Sequence, residues 1–186
     1  MLLYRVFPHV PSAGVDQPGH PTYVHHDQGS GRWDNPDLYR ALYVATTAEG
    51  AIGEAFAHLS RWRSSMLDFP SVAGSRRDLV TYELDEESEP ILDLDDPKSL
   101  LDRAIRPSEV VFRNRPHTQQ IARDVFGEGK WSGLGWWSMH RPQWALRVLF
   151  GAGAVQMAEV ESLSGHAALV AAGSRLAKVM DPDLLG

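Results

Sequence analysis

The segment GSGRWDNP, residues 29–36, places Arg32 and Trp33 between a glycine pair and an Asp-Asn-Pro breaker. Glycine at 29 and 31 lets the backbone reach positive φ and approach a ligand closely, and the planar fork of Arg32 suits a two-point grip on phosphate or carboxylate. Two plainer roles compete: a salt bridge from Arg32 to Asp34 or Asp37 that holds the loop, and Trp33 as a plug in the core beneath it. The spacing is neither GxxxxGK[ST] nor a GxGxxG that opens a helix, so it does not make a phosphate loop. Further along, Glu54 falls opposite Ile52 on a helical reading. At ~100° per residue its carboxylate faces solvent or a cleft, beside His58 and Arg61, with which a weak surface pair is the ordinary alternative.

Other chemistries find less support. His25 and His26 are adjacent and the remaining histidines are scattered, without HExxH or comparable ligand spacing, so no metal site is expected. No serine sits in a GxSxG elbow, and the chain contains no cysteine. The acidic run ELDEESEPILDLDD, residues 83–96, reads as a solvated turn and strand edge and not as a catalytic pair.

The elements that must position these groups follow from apolar periodicity. Strands are expected at Leu2–Phe7, Leu42–Ala45, Leu79–Leu84, Ile91–Leu94, Leu134–Met139, Trp144–Phe150 and Val155–Val160. Thr46-Thr47-Ala48-Glu49 fits a capping box, and Ile52, Ala55, Phe56, Leu59 and Trp62 continue one apolar stripe, which predicts a helix running to about Trp62. Further helices are expected from Pro97, with Leu100, Leu101 and Ile105 on its apolar side, from His117 to Phe126, and from Gly165 to Met180 with Ser164 as its cap. The polar segment Pro8–Asp37 is too long for an ordinary connection and is read as a binding loop or lid. Strands and helices alternate irregularly, which predicts a single α+β domain over residues 1–186 and not a doubly wound sheet.

Bulk composition narrows the function classes. The 186 residues carry 43% hydrophobic and 23% charged side chains and a formal net charge of −6. That charge opposes direct binding to nucleic acid or anionic lipid, which need clustered cations, and no apolar stretch is long enough to span a bilayer. Three of the eighteen basic residues are lysines, the rest arginines. The N-terminal MLLYRVFPHVP reads as a strand and not as a signal peptide, so a cytoplasmic location is expected.

Taken in order, Tyr4-Arg5, GRWDNP, LYVA, GEAFAH, GLGWWSMHRP and WALRVLF resemble the RES-domain family over about residues 2–160. The resemblance implies an ADP-ribosyltransferase-like mixed sheet with peripheral helices, and cleavage of the nicotinamide–ribose bond of NAD. It also implies a toxin paired with a helix-turn-helix antitoxin. NAD is then a substrate, with no prosthetic group, and inorganic phosphate is the leading co-substrate, making the chain an NAD phosphorylase. Hydrolysis, ADP-ribosyl transfer to a protein, and a non-catalytic nucleotide-binding module are the alternatives. By position the resemblance implies Glu54, Arg32 and Tyr43 as catalytic residues and Arg5, Arg32, Tyr43 and Ser138 as residues that hold NAD. Arg5 and Arg32 would take the two phosphates, Glu54 the charge on the ribose, Tyr43 the nicotinamide or a ribose, and Ser138 the nicotinamide ribose. Arg32 is expected to point from a lid-like loop into the cleft. Asp34 stands where the family commonly has asparagine, and no phosphate-specific residue is evident. Leu169, Ala172, Leu176 and Met180 line one side of the last helix, for packing on the sheet, for an antitoxin or for a homo-oligomer.

Overall fold

Period-two alternation along the strands sorts the apolar side chains onto two faces of one sheet. The computed structural model describes residues 1–184. The chain runs through β1 (Leu2–His9), β2 (Leu42–Ala45), α1 (Ala48–Phe56), β3 (Arg61–Trp62), β4 (Arg76–Leu84), β5 (Ile91–Asp93), α2 (Pro97–Leu101) and α3 (Pro107–Val110). It continues through α4 (Arg115–Gly127), β6 (Gly133–Trp137), β7 (Ala145–Leu149), β8 (Val155–Ser162), α5 (Ala167–Arg175) and β9 (Val179–Met180). Seven strands form a mixed sheet in the order β5-β6-β7-β2-β1-β4-β8, parallel only between β5 and β6, while β3 and β9 make a short parallel pair of their own. This is the α+β architecture expected from the sequence. Among the described residues no helix is long and apolar enough to cross a membrane.

One face carries the larger core. Ala45 of β2, Leu134 and Trp136 of β6, and Leu146 and Val148 of β7 meet Ile52 and Phe56 of α1, Ile121, Ala122 and Val125 of α4, and Leu169 and Ala172 of α5. The other face holds a smaller cluster, with Leu3, Phe7, Leu42, Val44, Val80 and Tyr82 at its centre. Burying these side chains stabilises the fold by roughly 1.5–3 kcal/mol each before chain entropy is subtracted.

Three helices differ from expectation in their bounds. Helix α1 stops at Phe56 and not near Trp62, because Trp62 turns back and its indole N–H donates to the Phe56 carbonyl at 3.1 Å. Trp62 is fully buried as expected, but as a cap on the helix end and a member of β3. Helix α5 begins from His166, whose Nδ1 accepts from the Ala168 N–H, not from Ser164, and it ends at Arg175. There the N–H of Lys178 bonds the Gly173 carbonyl and that of Ala177 the Ser174 carbonyl, with Ala177 at φ 50°, a Schellman stop without glycine. Met180 therefore lies in β9 instead of on the helix. Helix α2 is shorter than its apolar pattern suggested, ending at Leu101, which is 81% exposed while Leu100 is buried.

Close approach fixes how α1 sits. A Cβ at Gly53 would lie 2.1 Å from the ring of Trp144, which is itself 4% exposed and has no room to move. Gly53→Ala gains about 1 kcal/mol of helix propensity but incurs an overpacking cost of roughly 1–3 kcal/mol. The expected result is a net loss of stability in urea denaturation, with the neighbouring Glu54 displaced; a more stable variant would show that α1 is free to shift.

Candidate functional site

The site begins with the loop that the sequence marked. Asp34 is 5% exposed, and its Oδ2 accepts from the Gly29 N–H at 2.8 Å and from the Gly31 N–H at 2.7 Å. Its Oδ1 accepts from the Tyr43 hydroxyl at 2.7 Å, and that hydroxyl accepts in turn from the Trp33 N–H at 2.9 Å. Only glycine fits at 31, since a Cβ there would stand 2.4 Å from Asp34 Oδ1 and 2.5 Å from the Tyr43 oxygen. Helix α4 clamps the other side: Gln119 donates to the carbonyls of Gly29 and Gly31, and Thr118 to the carbonyl of Arg32 at 2.7 Å. Trp33 is completely buried, edge-on to Trp136 with ring centres 5.5 Å apart. The segment expected to be lid-like is at this end part of the core, because a lid could not carry a buried tryptophan and carboxylate.

Beside this loop is a cleft of about 270 Å³ between α1 and the sheet. Tyr4 of β1 and Tyr43 and Ala45 of β2 share that face, as the pairing of Tyr4 with Ala45 requires, and Trp136, Ala55 and Glu54 complete the walls. The lining is apolar apart from the phenols and the exposed Glu54 carboxylate, and Arg5 borders it only as the β1 residue between Tyr4 and Val6. Glu54 has a specific support. Fully buried Ser138, just past the end of β6, donates its hydroxyl to Glu54 Oε1 and accepts from the N–H groups of His140, at 3.0 Å, and Arg141. Neither His58 nor Arg61 takes the Glu54 carboxylate; Arg61 pairs with Asp181 instead.

The five residues expected to converge are thus placed unequally. Glu54 and Tyr43 line the cleft. Ser138 joins them from behind, with its proton on Glu54 and no surface left for a ribose. The Tyr43 ring walls the cleft, but its hydroxyl is occupied by Asp34 and Trp33. Arg32 is not among the residues that line the cleft: its Nη1 donates to the carbonyls of Val110 at 3.0 Å and Phe112 at 2.6 Å, while Nη2 faces Met139 Sδ at 3.2 Å. It forms no salt bridge with Asp34 or Asp37, the latter being paired with Arg123. Arg32 is close enough to feel the charge of Glu54, yet burial and the neighbouring Arg115 hold its pKa below the usual value.

Arg5 is the correction. Strand alternation sends Tyr4 and Val6 to the cleft face and Arg5 to the opposite face, where its Nη1 donates to the carbonyls of Tyr23 at 3.0 Å and Pro21. It fastens the early loop next to Tyr82, whose hydroxyl bonds the same Pro21 carbonyl. A single residue of register separates it from the role expected of it. Sequence reasoning also missed Asp34 as a hub and Arg115 as a neighbour of Arg32; the spacing Arg115, Thr118, Gln119, one face of a helix, is the signal that carried the latter.

A family model for the RES domain matches residues 2–169 of this chain. Among solved structures, it is similar to a chain of the M. tuberculosis MbcT–MbcA toxin–antitoxin complex. The two are 15% identical with a TM-score of 0.58, covering 95% of this chain and 89% of that chain. At that identity the likeness establishes the fold. No curated protein matches.

Three phenols give the site and its loop an alkaline limit. Burial raises the pKa of Tyr43, further raised by Asp34, pushes that of Tyr39 up to about 12, and raises that of Tyr82. A raised phenol pKa leaves stability intact below pH ~10, the unfolded value, and loses it as pH climbs toward the folded value. Urea midpoints are therefore expected to fall between pH 10 and about 12, with a slope of roughly 1.4 kcal/mol per pH unit for each phenol still protonated when folded. Tyr43→Phe should remove one such contribution and, at neutral pH, cost about 1–3 kcal/mol by leaving the Trp33 N–H without its partner; an unchanged alkaline profile would mean that Tyr43 is not closed in as described.

Proposed function

Because the chain belongs to the RES domain family, we propose that it consumes NAD by cleaving the nicotinamide–ribose bond, with inorganic phosphate as the leading acceptor. The observation that carries this reading is Glu54: an exposed carboxylate on the wall of an apolar cleft, held from behind by a buried serine and without a cationic partner among the described residues. Departure of nicotinamide takes the electron pair of the C1″–N bond to the ring nitrogen and leaves positive charge on the ribose, as in glycoside cleavage. A fixed carboxylate beside that sugar stabilises the charge as it forms, since its dipolar surroundings are already arranged. An oxygen of phosphate then bonds C1″ and its proton passes to solvent, giving ADP-ribose 1″-phosphate.

The apolar walls fit the leaving group. Trp136, Tyr4 and Tyr43 border a space slightly below the ~300–1,000 Å³ typical of small-molecule pockets, enough for the nicotinamide ribose but not for a whole dinucleotide. The adenylate half therefore lies outside the cleft, toward Arg32. By analogy with the toxin–antitoxin complex that shares the fold, the activity would be toxic to the cell that makes it and be restrained by an antitoxin partner. Transfer of ADP-ribose to a protein uses the same cleft and differs only in the acceptor.

Purified protein incubated with NAD and phosphate is expected to release nicotinamide, and mass spectrometry to find ADP-ribose 1″-phosphate. Free ADP-ribose would instead indicate water as acceptor, and a labelled protein band a transferase. Glu54→Gln, which keeps the shape and removes the charge, should lower kcat by on the order of 10²–10³. No nicotinamide from folded wild-type protein, with or without phosphate, ends the proposal.

A further inference from the structure

The turn of Arg5 to the opposite face leaves Arg32 without the second cation that a diphosphate calls for, and α4 supplies another. Arg115, Thr118 and Gln119 stand at i, i+3 and i+4 and so share one face of that helix. Thr118 and Gln119 bond the carbonyls of Arg32, Gly29 and Gly31, which brings that face against the loop. Arg115 is accordingly close enough to Arg32 to repel it.

Among the described residues neither guanidinium has a carboxylate partner. Arg61, Arg103, Arg123, Arg147 and Arg175 each hold one, while Arg5, Arg40 and Arg77 bond backbone carbonyls instead, and the chain as a whole has an excess of acid. Arg115 Nη1 is also shut off from solvent with no hydrogen-bond partner among the described residues. Two like charges side by side, one with an idle buried donor, are unfavourable in the empty protein and become favourable when an anion with several oxygens bridges them. Beside the pair, Phe112 and Met139 are each 53% exposed, apolar surface on which a base can lie.

We infer that Arg115 is a second phosphate-binding guanidinium, forming with Arg32 a two-cation seat for the diphosphate of a dinucleotide. This rests on the reading of the neighbouring cleft as the site of NAD cleavage. Arg32 contributes the donors not used by the Val110 and Phe112 carbonyls, Arg115 its half-exposed guanidinium, and the chemistry they recognise is a phosphate oxyanion.

Calorimetric binding of ADP-ribose, inorganic diphosphate and inorganic phosphate at fixed ionic strength tests this without turnover. Arg115→Gln should weaken ADP-ribose and diphosphate by roughly ten- to hundredfold. The same substitution should leave the thermal midpoint of the empty protein unchanged or higher, because a repulsion is removed. Arg115→Lys should recover part of the affinity. Unchanged affinity for ADP-ribose overturns the inference, whether the midpoint falls or not, and weakening of free phosphate alone overturns the dinucleotide seat. If wild-type protein releases no nicotinamide but Arg115→Gln still loses ADP-ribose, the activity reading fails and the seat stands. If wild type consumes NAD and Arg115→Gln does so with the same KM, only the seat fails.

Discussion

The carboxylate of Asp34 organises the site. It accepts from two loop N–H groups and from a strand phenol, and the carboxylate itself is buried. A carboxylate accepts through both oxygens, whereas an amide has one accepting oxygen and an NH₂ that only donates. Asparagine could therefore not take over all of these bonds unchanged: Oδ2 holds the glycine turn while Oδ1 holds β2. With the loop pinned on both sides, Trp33 fills the core and Arg32 reaches the carbonyls of Val110 and Phe112. Loss of any donor would leave a buried charge partly unsatisfied, which costs more than the same loss on the surface.

Opposite that loop, α1 presents Glu54 by a different principle. Gly50 and Gly53 let the helix lie directly against Trp144, so the carboxylate two residues after the core contact at Ile52 faces the cleft. The strand end at Ser138 reaches it from behind. A hydroxyl that accepts two backbone N–H groups and donates to a carboxylate is fixed in orientation, and so is the carboxylate it holds. The acid and the cations thus sit on separate supports, α1 with the β6–β7 turn on one side and the 29–35 loop with α4 on the other. Glu54 lies close enough to Arg32 to influence its charge but forms no ion pair with it.

The glycine-rich clamp also explains the length of the early segment. Its first part is tied down by Arg5 and Tyr82, both of which bond the Pro21 carbonyl from the far face of the sheet. Its last part crosses to the near face and closes on Tyr43. A chain that must serve both faces of one sheet needs more residues than a hairpin, and polar ones, since its backbone groups find partners in side chains instead of a ladder.

Local pattern alone determined the seven strands of the main sheet, because period-two apolar alternation is a direct record of which face is buried, and it determined the helical exposure of Glu54 for the same geometric reason. It also placed the start of the sheet, the end of α4 at Gly127 and the core role of Trp33. What the sequence left open was settled by contacts between distant segments. Trp62 continues the α1 stripe in sequence, yet it caps the helix because its indole finds the Phe56 carbonyl. Ala177 ends α5 in a conformation that no residue type announces. Arg5 has the right chemistry on the wrong face, and Arg115, 83 positions after Arg32, meets it only because α4 docks on the loop. Residue types set what each group can do; which groups meet depends on register and docking, and those are decided by the packing of the whole core.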